Sequence, residues 1–568
     1  MSIADQPRVI GLALAENWRR ARRRLSGGLL GGMSLGLSGP APERLVIAPP
    51  DLHTADPTVA AEIYAGIFRF GTWTVEAAGK NPFTLPAPDQ QWSRELHGFT
   101  WLRHFSAARD SLATTNAQAL VRDWIRLNPK PDDSVVWEPI VAAARLRSLL
   151  CHSVLIIENT ELGFYRSFLK TIGTHMRFMR RSMPKAEDGM PRLLCAIALS
   201  YAATCVAAGA QLLAISQRLL DAELSRQILP DGGHVSRNPA VLPELLAQLL
   251  PLRQSHAKLG QAPSHELVSA IDRIMSAIRF YRLGDGSLAR FNGCSVTSHD
   301  LVATVMRYDD VGSGVHGEAP YSCFQRLEIG ETAVLLDYGR PPPGALSVNA
   351  HAGCLAFEMS SGTAPLVINC GAPPHPRGEL RNASRSTAAH STAIIHDVSS
   401  CKFSGDGLLS RVLDGRIISG PRNVTCNRHD TADSQSVSVS HDGYLRDMGV
   451  VHERSLILSE NGGALDGLDS FLAPGGRALK EGHGEDVVIR FHLHPSVSAG
   501  KSRDGRTILL SAADGSRWMF TCGVLQPMIE ESIFFAVSSG ARRTKQLVLN
   551  FRLSDLREIT WRFEKHSS

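Results

Sequence analysis

Between Asp89 and Tyr281 apolar residues return at helical spacing, as in Ala117-Leu120-Val121-Trp124-Ile125 and in Ile140-Ala143-Ala144-Leu146-Leu149-Leu150. Recurrence every three or four positions turns one face of each segment toward a core, so the pattern predicts helix after helix. The run is interrupted at Asn128-Pro129-Lys130-Pro131, at Met183-Pro184 with Asp188-Gly189, and at Leu229-Pro230-Asp231-Gly232-Gly233. Proline and glycine end helices there and let the chain reverse. This punctuation suits stacked helical hairpins, although a bundle fits the periodicity nearly as well.

After Gly284-Asp285-Gly286 the texture changes to short β-branched or alternating runs, such as Thr332-Ala333-Val334-Leu335-Leu336-Asp337-Tyr338, Leu366-Val367-Ile368 and Val487-Val488-Ile489-Arg490-Phe491. These predict strands, and they continue to Val548-Leu549-Asn550-Phe551 and Trp561-Arg562-Phe563. Turn signals separate them, among them Ser404-Gly405-Asp406-Gly407 and His441-Asp442-Gly443. Many short strands in one half imply packed antiparallel sheets. The expected fold is mixed α+β in three parts: a segment 1–50 without defined character, a helical domain 51–290, and a β-sandwich 291–568.

Composition changes this picture little. Of 568 residues, 43% are hydrophobic and 20% charged, ordinary for a soluble chain with more than one domain. A net charge of +5 over this length gives no reason to expect nucleic acid, while the small basic surplus suits an acidic polymer. The ten cysteines form no CxxC pair, and several lie in apolar runs where a free thiol is a small buried hydrophobe. Arg19, Arg20, Arg22, Arg23 and Arg24 precede the apolar, glycine-rich stretch 25–37. The order resembles an export signal, but the basic cluster lies deep and Ser38-Gly39-Pro40 is a poor cleavage site. No run elsewhere is long and apolar enough for a transmembrane segment.

Three segments carry candidate chemistry. The break Leu229-Pro230-Asp231-Gly232-Gly233-His234-Val235-Ser236-Arg237-Asn238-Pro239 is expected to present His234, Arg237 and Asn238 from a loop on a rigid scaffold; a plain helix end with an exposed loop is the alternative. In Ser347-Val348-Asn349-Ala350-His351, an extended backbone would put Asn349 and His351 on one face. His390 stands in the polar run 381–392, ahead of Ala393-Ile394-Ile395. His351 and His390, with Asn369, are candidate ligands of one zinc ion; the alternative is a pair of hydrogen-bonded sandwich histidines.

Taken together these segments resemble the heparinase II/III group of polysaccharide lyases. The loop 229–239 is similar to that family's PDGGH loop. The stretch from Asn349 to Glu358, then Leu366-Val367-Ile368-Asn369-Cys370-Gly371, then Arg385-Ser386-Thr387-Ala388-Ala389-His390-Ser391-Thr392, is similar to its H-x-H-x-D, D-x-G and R-S-T-x-x-H-N-T series. His452-Glu453-Arg454 and Phe491-His492-Leu493-His494-Pro495 look like later strands of the same domain, and Trp92 with 96–102 like a helix entering the toroid.

The resemblance implies an incomplete α/α toroid of helical hairpins followed by an antiparallel β-sandwich, with the active site between them. It implies a carbon–oxygen lyase that cleaves an acidic, uronate-containing polysaccharide or oligosaccharide by β-elimination. That chemistry needs a donor to neutralise the uronate carboxylate, and an acid and a base around C5. By resemblance His234 is the neutralising group, Asn349 stands where the family often has a catalytic histidine, and a tyrosine exchanges the proton, with Tyr281 the candidate and Tyr321 its rival. Arg237 and Arg290 are candidates for binding a sugar carboxylate or sulfate. Zinc, as a structural ion on His351, Asn369 and His390, is the cofactor implied, and the cell envelope or periplasm the compartment, with the cytoplasm as alternative.

The chain also departs from the pattern. Asn369 replaces the family's aspartate and with it the anionic ligand, Gly353 replaces an acidic residue, and Asn349 replaces a histidine. An amide donates a hydrogen bond but cannot take up a proton as a base. A catalytically impaired carbohydrate-binding or envelope protein on the same scaffold is therefore the competing expectation, and a metal-dependent hydrolase using His351 and His390 the third.

Overall fold

Helix starts follow the caps written in the sequence. The carboxylates of Asp89 and Asp110 accept from Trp92 N at 2.7 Å and Ala113 N at 2.6 Å, and Ser264 caps Leu267 N at 3.2 Å. The computed structural model describes residues 6–32, 42–207, 210–309, 312, 314–405, 412–480 and 482–566. The cleavage-site reading at 38–40 and part of the turn at 404–407 lie outside the described residues.

The helices are α1 (Gln6–Gly32), α2 (Pro57–Tyr64), α3 (Gln90–Gly98), α4 (Leu102–Ala108), α5 (Ser111–Leu127), α6 (Pro139–Cys151), α7 (Ser153–Ile157), α8 (Leu162–Ser182), α9 (Met190–Cys205), α10 (Ala210–Gln227), α11 (Val241–Lys258), α12 (His265–Tyr281) and α13 (His299–Met306). The three predicted breaks fall between α5 and α6, between α8 and α9, and between α10 and α11. From α3 onward the helices pack as hairpins around one apolar core containing Trp92, Trp101, Trp124, Leu146 and Leu249. Burying each such side chain contributes about 1.5–3 kcal/mol. Arg145 is fully buried there: its guanidinium lies 4.1 Å from the Trp124 ring centre and donates to the carbonyls of His97 at 2.7 Å and Val136 at 2.9 Å.

Apart from a hairpin of Ile67–Phe70 with Trp73–Glu76 in the helical domain, the strands follow α13, beginning at Glu318, so helical structure reaches beyond residue 290. One antiparallel sheet runs, in spatial order, Met528–Phe534, Arg542–Arg552, Asp486–Leu493, Ala364–Ile368, Phe357–Ser361, Thr332–Asp337, Phe324–Ile329 and Glu318–Ala319, with Ala393–Ile395 also paired to Asp486–Leu493. The second runs Val424–Asp430, Gln435–His441, Val451–Ser459, Ala464–Leu472, Glu558–Lys565, Arg517–Cys522, Thr507–Ser511 and Ser498–Lys501. Their facing sides share a core that includes Val334, Leu336, Phe357, Leu456 and Trp561.

Strand alternation explains how the sandwich meets the helices. In Thr332–Asp337 every residue is buried; Val334 and Leu336 enter the sandwich core, while Leu335 joins the helical core. The same alternation turns Asp337 and Glu358 toward the helical domain. The predicted extended run through Asn349 and His351 is not a strand: it is irregular backbone up to Phe357, with Leu355 at φ +62°. Side chains alternate between two faces only in a strand, so Asn349 and His351 do not share a strand face.

The expected characterless segment 1–50 contains α1. Its buried row, Val9, Ala13 and Glu16, recurs at helical spacing, and the Glu16 carboxylate pairs with Arg416 of the sandwich half at 2.7 Å. On its other side Ile10, Leu14 and Trp18 are exposed.

Candidate functional site

The Pro-Asp-Gly-Gly-His loop is the seam between the two domains. The Asp231 carboxylate accepts from Tyr321 N at 2.9 Å, Ser322 N at 2.7 Å and Ser322 Oγ at 2.9 Å, all on the segment entering the first sheet. Gly232 has φ +83°, and a Cβ there would meet Arg273 O at 1.9 Å; one at Gly233 would meet Ser322 Cβ at 2.7 Å. Only glycine allows this approach. Both glycines and the aspartate therefore have a docking explanation independent of substrate.

His234 is buried, with both ring nitrogens occupied. Ser236 N donates to Nδ1 at 3.1 Å, and Nε2 lies 3.0 Å from Gln227 Oε1. This fixes the neutral tautomer with Nε2–H donating to the amide. Burial, assisted by the Arg226 charge, holds the imidazole down at about 4.

Arg237 sits at φ +58° and turns its guanidinium across the seam. It donates to Ser322 O at 2.8 Å, Cys323 O at 3.1 Å and Asp337 Oδ1 at 2.5 Å, and lies 4.5 Å from the Phe324 ring centre. Arg290 is buried likewise, donating to Glu358 Oε2 at 3.3 Å and to Ser287 Oγ at 3.2 Å. Each guanidinium has a buried carboxylate of the sheet as its counter-ion. Tyr281 is 2% exposed, wedged between Phe280 and Phe324, and donates to Ser322 Oγ at 3.2 Å. Burial pushes the phenol above the ordinary tyrosine range despite that bond. Tyr321 is 61% exposed, held by its backbone to Asp231.

Two candidates do reach a common surface. A Cβ added at Gly293 would stand 3.5 Å from Asn238 Nδ2 and 3.1 Å from Asn349 Cβ, so the helical loop and the sandwich loop meet there. Asn349 is exposed, whereas the Asn238 carbonyl oxygen of the side chain caps Ala240 N at 3.0 Å. Beneath them runs a buried relay: Asn292 Nδ2 donates to Asp337 Oδ2 at 3.2 Å and Asn292 Oδ1 accepts from His351 N at 3.4 Å. Sequence reasoning missed Asp337, Asn292 and Ser322. Asp337 had one signal, a carboxylate closing the apolar run Thr332-Ala333-Val334-Leu335-Leu336.

His351 and His390 come together as expected, but directly, with Nδ1 of the first 3.0 Å from Nε2 of the second. His390 Nδ1 lies 2.7 Å from Ser386 O, so it carries the proton, and Nε2 is left to accept from His351. Burial keeps His390 at about 4 and, with the neighbouring His390 and Arg385, drives His351 well below its usual value. Asn369 Oδ1 accepts from Ser391 N at 3.0 Å, and a Cβ at Gly353 would meet His390 Cδ2 at 2.7 Å, leaving no room for a fourth-position carboxylate. These groups fit zinc poorly: the set holds no anion, and the lone pair of His390 is already used. Protein purified without added zinc is expected to contain well below one zinc per chain by elemental analysis; a tightly held equivalent would overturn this assignment.

Residues 315–562 match the family model described as heparinase II/III-like, C-terminal. Along its whole length the chain is 29% identical to FtsZ-localized protein C of Caulobacter vibrioides, covering 99% of this chain and 100% of that protein. The fold is that of solved lyases. A crystal structure of heparinase III superposes with a TM-score of 0.70 at 13% identity, over 97% of this chain and 89% of the other. Heparan sulfate lyase HepC from Pedobacter heparinus gives 0.62 at 14%, over 98% and 88%.

Proposed function

We propose that this chain, which carries a heparinase II/III-like C-terminal domain at residues 315–562, uses the lyase scaffold to dock another protein rather than to cleave a sugar, and that its partner is FtsZ. The observation that carries this reading is the occupancy of the buried candidates: His234 by Gln227 and Ser236, Arg237 by Asp337, Arg290 by Glu358, Tyr281 by Ser322 and His351 by His390. Elimination at C5 requires a base within reach of the substrate proton. Here the candidate imidazoles and Tyr281 are buried, and burial makes Tyr281 hard to ionise; of the exposed candidates, Asn349 is an amide and Tyr321 a phenol held by its backbone to Asp231. The full-length likeness to a protein named for FtsZ supports the partner, and the free state of all ten cysteines supports the cytoplasm over the periplasm. Among the described residues no helix is long and apolar enough to cross a membrane.

Incubation with heparan sulfate, heparin, alginate and a uronate exopolysaccharide is expected to give no ultraviolet absorbance from an unsaturated uronate. The same protein is expected to co-sediment with FtsZ polymers. Product formation that His234→Ala abolishes in a folded protein would restore the lyase reading, for which the meeting of Asn238 and Asn349 at Gly293 is the favouring geometry.

A further inference from the structure

Helices α5 and α8 lie side by side on the helical domain and leave a groove of about 790 Å³ between them. Its rim carries five cations, Arg122, Arg126 and Lys130 from the α5 side and Lys170 and Arg177 from α8, against one carboxylate, Glu161. Arg122 and Arg126 are one helical turn apart on α5 and share a face, and Lys130 follows from the loop after the helix end. Arg126 is paired, with Asp123 at 3.0 Å. Arg177 donates to Thr174 Oγ1 at 3.2 Å, Arg122 lies 4.8 Å from the Phe164 ring centre, and neither they nor Lys130 and Lys170 have a carboxylate partner among the described residues. For a chain of net charge +5, this is a local concentration of positive charge facing a concave surface.

The floor is mixed. Ile125, Pro129 and Phe164 contribute apolar surface, and the hydroxyls of Thr171 and Thr174 are turned to their own helix, donating to Ser167 O at 2.9 Å and Lys170 O at 3.0 Å. Directional hydroxyl recognition of a sugar is thereby weakened, while cations over an apolar floor complement a chain that alternates carboxylates with apolar side chains. We infer that the α5–α8 groove is the docking site for an extended, acidic and partly apolar segment of a protein partner. This rests on the docking reading above and adds the surface to it.

The test uses the full chain and a fluorescein-labelled peptide alternating glutamate with leucine and phenylalanine, followed by anisotropy. Lys130 and Lys170 are exposed, so the double variant Lys130→Glu/Lys170→Glu keeps its fold, checked by circular dichroism. It is expected to bind the peptide at least about tenfold more weakly, and affinity to fall as salt is raised. Equal binding of the peptide with glutamine in place of glutamate, tighter binding of a heparin oligosaccharide or of single-stranded DNA, or an unchanged affinity in the double variant would each overturn the inference. FtsZ co-sedimentation separates the two proposals. If the wild type pellets with FtsZ and the double variant does so equally, the groove is wrong and the docking reading stands; if the groove takes the peptide and FtsZ is not bound, the reverse holds.

Discussion

Asp469→Asn is expected to cost the sandwich about 3–5 kcal/mol and to lower its thermal midpoint by roughly 10 °C. Asp469 is fully buried and all its acceptor positions are used: His452 Nε2 at 2.7 Å and Arg454 Nε at 2.8 Å on one oxygen, Arg454 Nη2 at 3.0 Å and Trp561 Nε1 at 2.8 Å on the other. Burial opposes the charged carboxylate, but Arg454 and His452 outweigh it and hold it well below the usual range. Arg454 continues the network to Leu355 O at 2.9 Å and Ser391 O at 2.8 Å, tying the two sheets together. An amide at 469 would keep one acceptor oxygen and point N–H groups at Trp561 and the guanidinium, leaving a buried cation without its anion. Differential scanning calorimetry measures the effect; a shift below about 2 °C would mean that the network is not what holds the sheets.

Acid should begin to unfold the protein as pH falls from about 6.5 toward about 4, before most ordinary carboxylates are protonated. Burial holds His97, His234 and His390 at about 4 and His492 at about 3, with Arg145, Arg226 and His390 adding to the effect at His97, His234 and His492 respectively. In the unfolded chain each returns to about 6.5. Below that value the unfolded state binds more protons, so stability is complete above it and is lost as pH falls toward the folded values. Each imidazole contributes up to about 3 kcal/mol to this loss, and four together match the whole stability of an ordinary domain, about 5–15 kcal/mol. His53 opposes the trend: burial lowers its pKa, but Asp51 and Glu244 outweigh it and raise it, so its stabilisation is present in acid and lost as pH rises. Urea midpoints measured across this range should therefore fall steeply, with proton uptake on unfolding of several per chain. Flat midpoints down to pH 4.5 would show that these rings reach solvent.

Much of the fold is legible in the amino-acid order because periodicity and punctuation are local. The run read as helical from Asp89 to Tyr281 holds α3 to α12, with α2 and α13 outside it, and the runs at 332–337, 366–368 and 487–491 all fall in strands of the first sheet. The site is another matter. The polar residues of 229–239 could be counted, but nothing local says that the Arg237 guanidinium turns inward, because its counter-ion, Asp337, stands a hundred residues away. Likewise the pairing of His351 with His390 was readable as an affinity between two segments, whereas its nature depends on the Ser386 carbonyl and on the absence of a side chain at 353. The buried row of α1 was present at helical spacing in Val9, Ala13 and Glu16, and was obscured by the arginines and glycines that follow.

The ion pair between Glu16 and Arg416 spans 400 residues of chain. At about 5–20 residues per second, synthesis leaves α1 waiting roughly 20 to 80 s for its anchor. Throughout that interval Val9 has neither Leu413 nor Ile418 to cover it, so contact with α8 and the turn after it is the cover the folded structure offers α1 until the ribosome has passed the middle of the sandwich.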